Sequence, residues 1–428
     1  MGEKILVDSR PDNLKQAAAS DLAKGNYQQA ISRLETILKK QRNDPESLIY
    51  LNNARITNKP AYFVAVPVPI ESEIDVAQEI LRGVAQAQDE INRAGGIDGK
   101  LLKIIIANDR NSQKTGQELA TTFSQEPDIL GVIGHFSSDV TLAAAEIYQK
   151  NGLVVISPTS TSVALSYAGS YIFRTVSSDC LTGNTLAEYL VDNLKLRQVA
   201  LFYNSANSYS NSLREVFRTK LQKKNGAVVA EFNFNQPNFD IVDALQETTA
   251  ADAEALILFP NSSGFNAIET IDKTLLILQR NAGKLPILGG DSLYKPRILQ
   301  LAQENAVGMI IAVPWHSETT EAQFTQNATR LWGGTGNWRT ALSYDATMAL
   351  AKAIENAPSR QGVQQILSSQ NFTANGASGL IRFLANGDRD TEVELVKVTV
   401  GSNSGFGYDF VPIANTATSS VDACQVQN

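Results

Sequence analysis

From Ala61 onward, short runs that are apolar at consecutive positions alternate with stretches whose apolar residues recur every three or four positions. The continuous runs are Tyr62–Val68, Leu102–Ala107, Ile129–Gly134, Leu153–Ser157, Val199–Tyr203, Ala227–Phe232, Ala255–Phe259, Ile287–Gly289 and Met309–Val313. Most are apolar on both faces, as strands of a covered parallel sheet must be. The periodic stretches read as helices. In the clearest, Ile74, Ala77, Leu81, Val84 and Ile91 share one stripe, and Gly95-Gly96 ends it. Others are expected near Ser138–Lys150, Asp179–Asn193, Ser210–Lys224, Phe265–Asn281 and Arg339–Asn356. Such alternation predicts a doubly wound α/β architecture, and its length exceeds one comfortable sheet, so two lobes are expected. Val393–Val400 and Phe406–Val411 read as strands that return to a lobe visited earlier.

The first 60 residues carry a different pattern. Leu14 to Lys24 and Tyr27 to Lys40 are helical in period, with Ala30, Ile31, Leu34, Ile37 and Leu38 on one stripe and a Gly25-Asn26 turn between them. The string Lys24-Gly25-Asn26-Tyr27-Gln28-Gln29-Ala30, with Asn43-Asp44-Pro45 beyond it, resembles the second half of a tetratricopeptide repeat, although a plain helical hairpin fits as well. Such repeats bury their faces by stacking, and about three are needed to stand alone. This segment is therefore expected to pack on the main body, on a protein partner, or on further repeats. Glu35, Lys39 and Lys40 form a solvated helix face.

Composition narrows the chemistry. The 428 residues include 37 Lys and Arg against 44 Asp and Glu, a net charge of −7, which argues against nucleic acid as a partner. His135, His316, Cys180 and Cys424 are too few for a multi-histidine or paired-cysteine metal site, so no metal and no cofactor is expected. One Cys180–Cys424 bridge stays open. Apolar runs fall far short of the ~20 residues that span a bilayer. Residues 1–8 are too polar for the core of a secretory signal. Either the protein is cytosolic, or a leader or anchor has been removed; function favours removal.

Ligands of open parallel sheets bind beyond the carboxyl ends of strands. There, His135-Phe136-Ser137-Ser138-Asp139 follows one strand and Pro158-Thr159-Ser160-Thr161-Ser162 the next. Each hydroxyl cluster alone is ordinary helix capping. Together, on consecutive strands, they form a cradle for a carboxylate. Gly289-Gly290-Asp291-Ser292 follows a later strand, where Asp291 is placed to meet an ammonium group, although Gly-Asp is also common turn chemistry. Hydroxyls for a carboxylate and an acid for an ammonium describe recognition of an amino acid at its α-carbon.

Several motifs then make the pattern specific: Arg82-Gly83-Val84-Ala85, the run from Ile91 to Lys100, Val132-Ile133-Gly134-His135 with Ser137-Ser138, Ile156 to Thr161, and Phe173-Arg174-Thr175. In this order they resemble the leucine/isoleucine/valine-binding proteins, the type I periplasmic solute-binding components of amino-acid ABC importers, over roughly Ala61 to Ile413. The resemblance implies two Rossmann-like lobes joined by three crossovers, with the N-terminal α-helical hairpin added and a hinge that closes on ligand. The expected boundaries are 1–60 for the helical segment, 61–178 with 315–389 for one lobe, 179–314 with 390–414 for the other, and 415–428 for a tail. The resemblance also implies roles. Ser138 and Thr161 bind the ligand carboxylate; the Thr159 main chain, with the Thr161 hydroxyl, helps hold the ammonium; Asp291 pairs with that ammonium, one methylene shorter than the usual glutamate. Tyr209 and Phe136 line the pocket. Asn261 stands where an aromatic is expected, and near Trp338-Arg339 another is shifted or replaced, which predicts tolerance of several neutral side chains.

The implied function is capture of neutral, aliphatic L-amino acids in an interlobe cleft by a monomer, for delivery to the membrane subunits of an ABC permease in the periplasm or at the cell surface. The alternative is a protein-interaction module on the same fold, an activator of cell-wall synthases or a sensor of amino acids or amides, favoured only by the helical N-terminus. No enzyme is expected. His135 lies three residues from Ser138, but no GxSxG elbow is present, and no GxGxxG or GxxxxGK[ST] loop supports nucleotide binding. His316 reads as a surface histidine, and Trp315, Trp332, Trp338 and Tyr344 read mostly as core.

Overall fold

The computed structural model describes residues 4–7, 12–56, 59–261, 263–264, 266–319, 322–414 and 424. Three helices open the chain: α1 (Asn13–Ala23), α2 (Tyr27–Lys40) and α3 (Pro45–Ile56). Alternation then begins with β1 (Ala61–Val68), α4 (Ile74–Arg93), β2 (Leu101–Asn108), α5 (Gln113–Gln125), β3 (Ile129–Ile133), α6 (Ser138–Asn151), β4 (Val155–Ser157) and β5 (Ile172–Arg174). It continues through α7 (Asp179–Glu188), β6 (Gln198–Tyr203), α8 (Ser208–Lys223), β7 (Ala227–Asn233), α9 (Ile241–Ala250), β8 (Ala255–Phe259), α10 (Ala267–Asn281), β9 (Ile287–Gly289), α11 (Pro296–Ala302) and β10 (Ile310–Val313). The last elements are α12 (Ala322–Trp332), α13 (Trp338–Asn356), α14 (Arg360–Leu367), a small hairpin of β11 (Ala374–Gly376) and β12 (Gly379–Ile381), then β13 (Glu394–Val400) and β14 (Tyr408–Pro412). The helix expected from Phe265 starts at Ala267; residue 265 itself lies outside the described set, as does most of the 415–428 tail.

The chain divides into two compact units. The first comprises residues 1–160, 164–176 and 319–390, around a parallel sheet in the order β2-β1-β3-β4-β5. Helices cover both faces because the strands are apolar on both; Val64, Ala65, Val66, Val132 and Ile156 are all fully buried. Helix α13 crosses α4 at Gly83, where an added Cβ would stand 2.1 Å from the Thr340 carbonyl oxygen. The second unit comprises residues 161–163, 177–318 and 391–428, around a seven-stranded sheet in the order β14-β13-β10-β9-β8-β6-β7. Its last two strands are antiparallel additions to an otherwise parallel sheet. In this unit Cys180, at the start of α7, forms a disulfide with Cys424.

The N-terminal helices belong to the first unit. Helix α3 lies between the pair α1–α2 and the body, and of its residues only Arg55 is exposed. It packs along β2, an edge strand whose outward backbone groups need partners. Asn53 supplies them: its amide donates to the Ile104 carbonyl at 2.8 Å and accepts the Ile104 N–H at 3.1 Å. Asn92 brackets Leu102 in the same way, at 3.0 and 2.7 Å. The inner faces of α1 and α2 bury Ala18, Ala19, Leu22, Ala30, Leu34 and Ile37. Their outward positions, such as Gln16, Ser20, Ser32 and Thr36, are polar or charged. The layer thus packs on the main body and presents a polar outside.

Candidate functional site

In the first unit the chemistry gathers where β3 and β4 end. Ser137 caps α6, accepting the Val140 N–H at 3.4 Å, so Ser138 opens the helix beside the positive end of its dipole. The two hydroxyl clusters meet through the backbone of this loop. Ser157 donates to the His135 carbonyl at 2.9 Å, and Thr159 donates to the Phe136 carbonyl at 2.7 Å. Ser160 reaches the same Phe136 oxygen at 3.2 Å and the Thr141 hydroxyl at 2.7 Å. The Thr159 N–H points to the Ser157 hydroxyl at 3.4 Å. Phe136, Ser138 and Thr159 are all buried. His135 is wholly buried, with Nδ1 2.7 Å from Asp109 and Nε2 3.0 Å from the Tyr148 hydroxyl, which leaves neither nitrogen for a serine.

The second unit gathers acidic groups of its own. Tyr209 enters α8 just after its Asn207 cap, and its hydroxyl accepts the Ser292 N–H at 3.4 Å. Gly290 makes room for it: a Cβ there would stand 2.3 Å from the phenol oxygen. Burial pushes the Tyr209 phenol well above its ordinary range, and the negative charges of Asp291 and then Asp179 push it the same way. Two carboxylates therefore lie within electrostatic reach of one hydroxyl. Asp179, fully buried in the first turn of α7, escaped sequence reasoning because an acid there is usually only helix-dipole complement. Its N–H donates to the Thr161 carbonyl at 2.8 Å, which ties the start of α7 to the segment carrying Thr161.

Asn261 is buried in the second unit within a network of its own. Its carbonyl oxygen accepts from Asn204 at 2.7 Å and from the Thr270 hydroxyl at 2.9 Å, and its amide donates to the Ser263 carbonyl at 2.9 Å. His316, expected at the surface, is 5% exposed, because Tyr294 stacks edge-on against its ring and its backbone N–H donates to Glu394. Trp315, Trp332 and Trp338 are buried, and Tyr344 donates to Glu90 at 2.7 Å. Among the described residues no cluster of His, Cys, Asp and Glu is placed to hold a metal, and no helix is long and apolar enough to cross a membrane.

Residues 66–403 match the model of a family described as periplasmic binding protein. An amino acid binding protein of Pseudomonas aeruginosa is 32% identical over 147 residues, 34% of this chain and 39% of that protein. The Leu/Ile/Val-binding protein of Escherichia coli K12 is 32% identical over 148 residues, 34% of this chain and 40% of that protein. The match thus spans about two fifths of the length of these curated relatives. An ABC transporter substrate-binding protein from Desulfitobacterium hafniense superposes with a TM-score of 0.70 at 25% identity, covering 82% of this chain and all of that one. A leucine binding protein from Thermotoga maritima, at 23% identity, shares the fold with a TM-score of 0.69 over 82% of this chain and 97% of its own. Paired α/β units, a family match across most of the sequence and full-length superposition on a substrate-binding protein agree, and the chain belongs to the periplasmic binding protein family.

Proposed function

We propose that this chain is an extracytoplasmic solute-binding protein that captures neutral L-amino acids and presents them to the membrane subunits of an ABC importer. The observation that carries this reading is that each unit, taken by itself, carries polar groups of the kind an amino acid needs at its α-carbon. The first holds a hydroxyl-lined helix start suited to a carboxylate, and the second holds Asp291 and Asp179 around Tyr209, suited to an ammonium. Ser138 and Thr161 would hold the carboxylate. The Thr159 hydroxyl is already given to Phe136, so its contribution to the ammonium would come from its carbonyl. Names of the relatives, amino acid binding and Leu/Ile/Val-binding, support an aliphatic amino acid as the ligand. The Cys180–Cys424 disulfide supports an oxidising compartment. A partner-docking role for the helical N-terminus is disfavoured by its polar outer face.

Titration calorimetry of ligand-free protein against the twenty amino acids tests the reading. Binding of several neutral L-amino acids is expected. Ser138→Ala and Asp291→Ala should each weaken it by roughly 10- to 100-fold, the worth of one charge-assisted hydrogen bond. Wild-type affinity in both variants refutes the site.

A further inference from the structure

Beneath the loop that carries Ser138 runs a chain of hydrogen bonds that the proposed ligand contacts do not use. Asp109 follows β2, His135 follows β3, and Tyr148 lies near the end of α6; all three are fully buried. Asp109 Oδ2 meets His135 Nδ1 at 2.7 Å, and His135 Nε2 meets the Tyr148 hydroxyl at 3.0 Å. The chain continues on the other side. Asp109 Oδ1 accepts the Asn111 N–H at 2.9 Å, and the Asn111 side-chain oxygen accepts the Ser137 hydroxyl at 2.5 Å. Ser137 is the N-terminal cap of α6 and Tyr148 lies near its other end, so the chain begins and ends on the same helix, passing through the ends of two strands.

One arrangement joins Asp109, His135 and Tyr148 without conflict: Nδ1–H donates to the Asp109 carboxylate, and Nε2 accepts the Tyr148 hydroxyl proton. Buried polar groups left without such partners are costly, so the arrangement has few competitors. From the other side, Ser157, Thr159 and Ser160 clamp the carbonyls of His135 and Phe136. The turn is thus held from both faces while Ser138 stands three residues from His135.

We infer that Asp109, His135 and Tyr148 are positioning residues for the ligand carboxylate, holding the Ser138 turn in its binding arrangement before ligand arrives. This rests on the amino-acid reading of the site. Pre-organisation of this kind raises affinity by removing an ordering cost from the binding step, without contact to the ligand.

The test compares L-leucine with L-leucinol, which keeps the ammonium and side chain but lacks the carboxylate. Tyr148→Phe removes one oxygen and keeps the ring in place. His135→Asn keeps a donor near the Nδ1 position and loses the Tyr148 acceptor. Each variant should bind L-leucine about tenfold more weakly and L-leucinol within about twofold of wild type, so the ratio between the two ligands collapses. A purely structural role lowers the melting temperature and leaves that ratio at the wild-type value, which overturns the inference. Ser138→Ala serves as the control. If it weakens L-leucine while Tyr148→Phe does not, the positioning role falls and the site stands. If Ser138→Ala itself binds L-leucine like wild type, Ser138 does not hold the carboxylate, and the inference falls with that assignment; if the wild-type protein binds no amino acid, the amino-acid reading itself falls.

Discussion

Replacing Asn53 with alanine isolates what the N-terminal helices do for the first unit. Asn53 is 4% exposed and Ile104 1% exposed, so water has little access to either. The substitution orphans the Ile104 N–H and carbonyl together, since both partners sit on the one amide. Gln88 loses its 2.9 Å contact to Asn53 but keeps its 3.0 Å bond to the Leu102 carbonyl, so it adds little. At about 1–3 kcal/mol for each unsatisfied buried backbone group, the cost is about 2–6 kcal/mol, falling toward about 2 if a water enters the space vacated. Asn92 makes the same bracket on Leu102 but is only half-buried, and solvent replaces its amide; Asn92→Ala should cost under about 1 kcal/mol. Global unfolding of two units need not be two-state, so the assay is local: hydrogen exchange of residues 101–108 in ligand-free protein, read by mass spectrometry. Asn53→Ala should accelerate exchange there by roughly 30-fold or more, at tenfold per 1.4 kcal/mol, with the β13–β14 region unchanged. Exchange within threefold of wild type, or equal acceleration in Asn92→Ala, refutes the argument that Asn53 seals this edge.

Two further outcomes follow from the second unit. Reducing the Cys180–Cys424 bridge, or replacing both residues with serine, opens a closed loop 244 residues apart in sequence and should lower the stability of this unit by about 2–4 kcal/mol, read as a lower melting temperature in scanning calorimetry, while the first unit melts as before. Burial pushes the His316 imidazole below its ordinary value of about 6.5, against the opposing pull of Glu318 and a hydrogen bond to the Phe410 backbone, and its Nδ1 accepts the Glu318 N–H at 3.3 Å. Between the folded and unfolded values the unfolded chain takes the proton more readily. This contribution to stability is therefore complete above about pH 6.5 and is lost as pH falls from there toward the lower folded value. His316→Asn, which keeps an acceptor for Glu318, should flatten the melting temperature against pH between about 7 and 5. An unchanged slope refutes the assignment.

Much of the architecture was legible along the chain because burial on one side leaves a periodic mark. The runs at Tyr62–Val68 and Ala255–Phe259 became β1 and β8 nearly residue for residue, and the stripe from Ile74 became α4. Hydroxyl clusters at strand ends were visible for the same reason, since each is a local string of residues. Helix α3 left no such mark: buried all round except at Arg55, it has no polar face to set a period, and its asparagines look like loop residues until Asn53 is seen against β2. Asp179 and His135 show the complementary limit. Asp179 as a residue was in plain view, but its nearness to Tyr209 and Asp291 exists only once α7, α8 and the turn after β9 converge. His135 meets Asp109 across 26 residues and Cys180 meets Cys424 across 244. Local sequence determined which segments fold as strands and helices and which carry hydroxyls and acids. Tertiary structure alone decided which of those groups share a site, because such contacts depend on strand order and crossovers, which no local periodicity records.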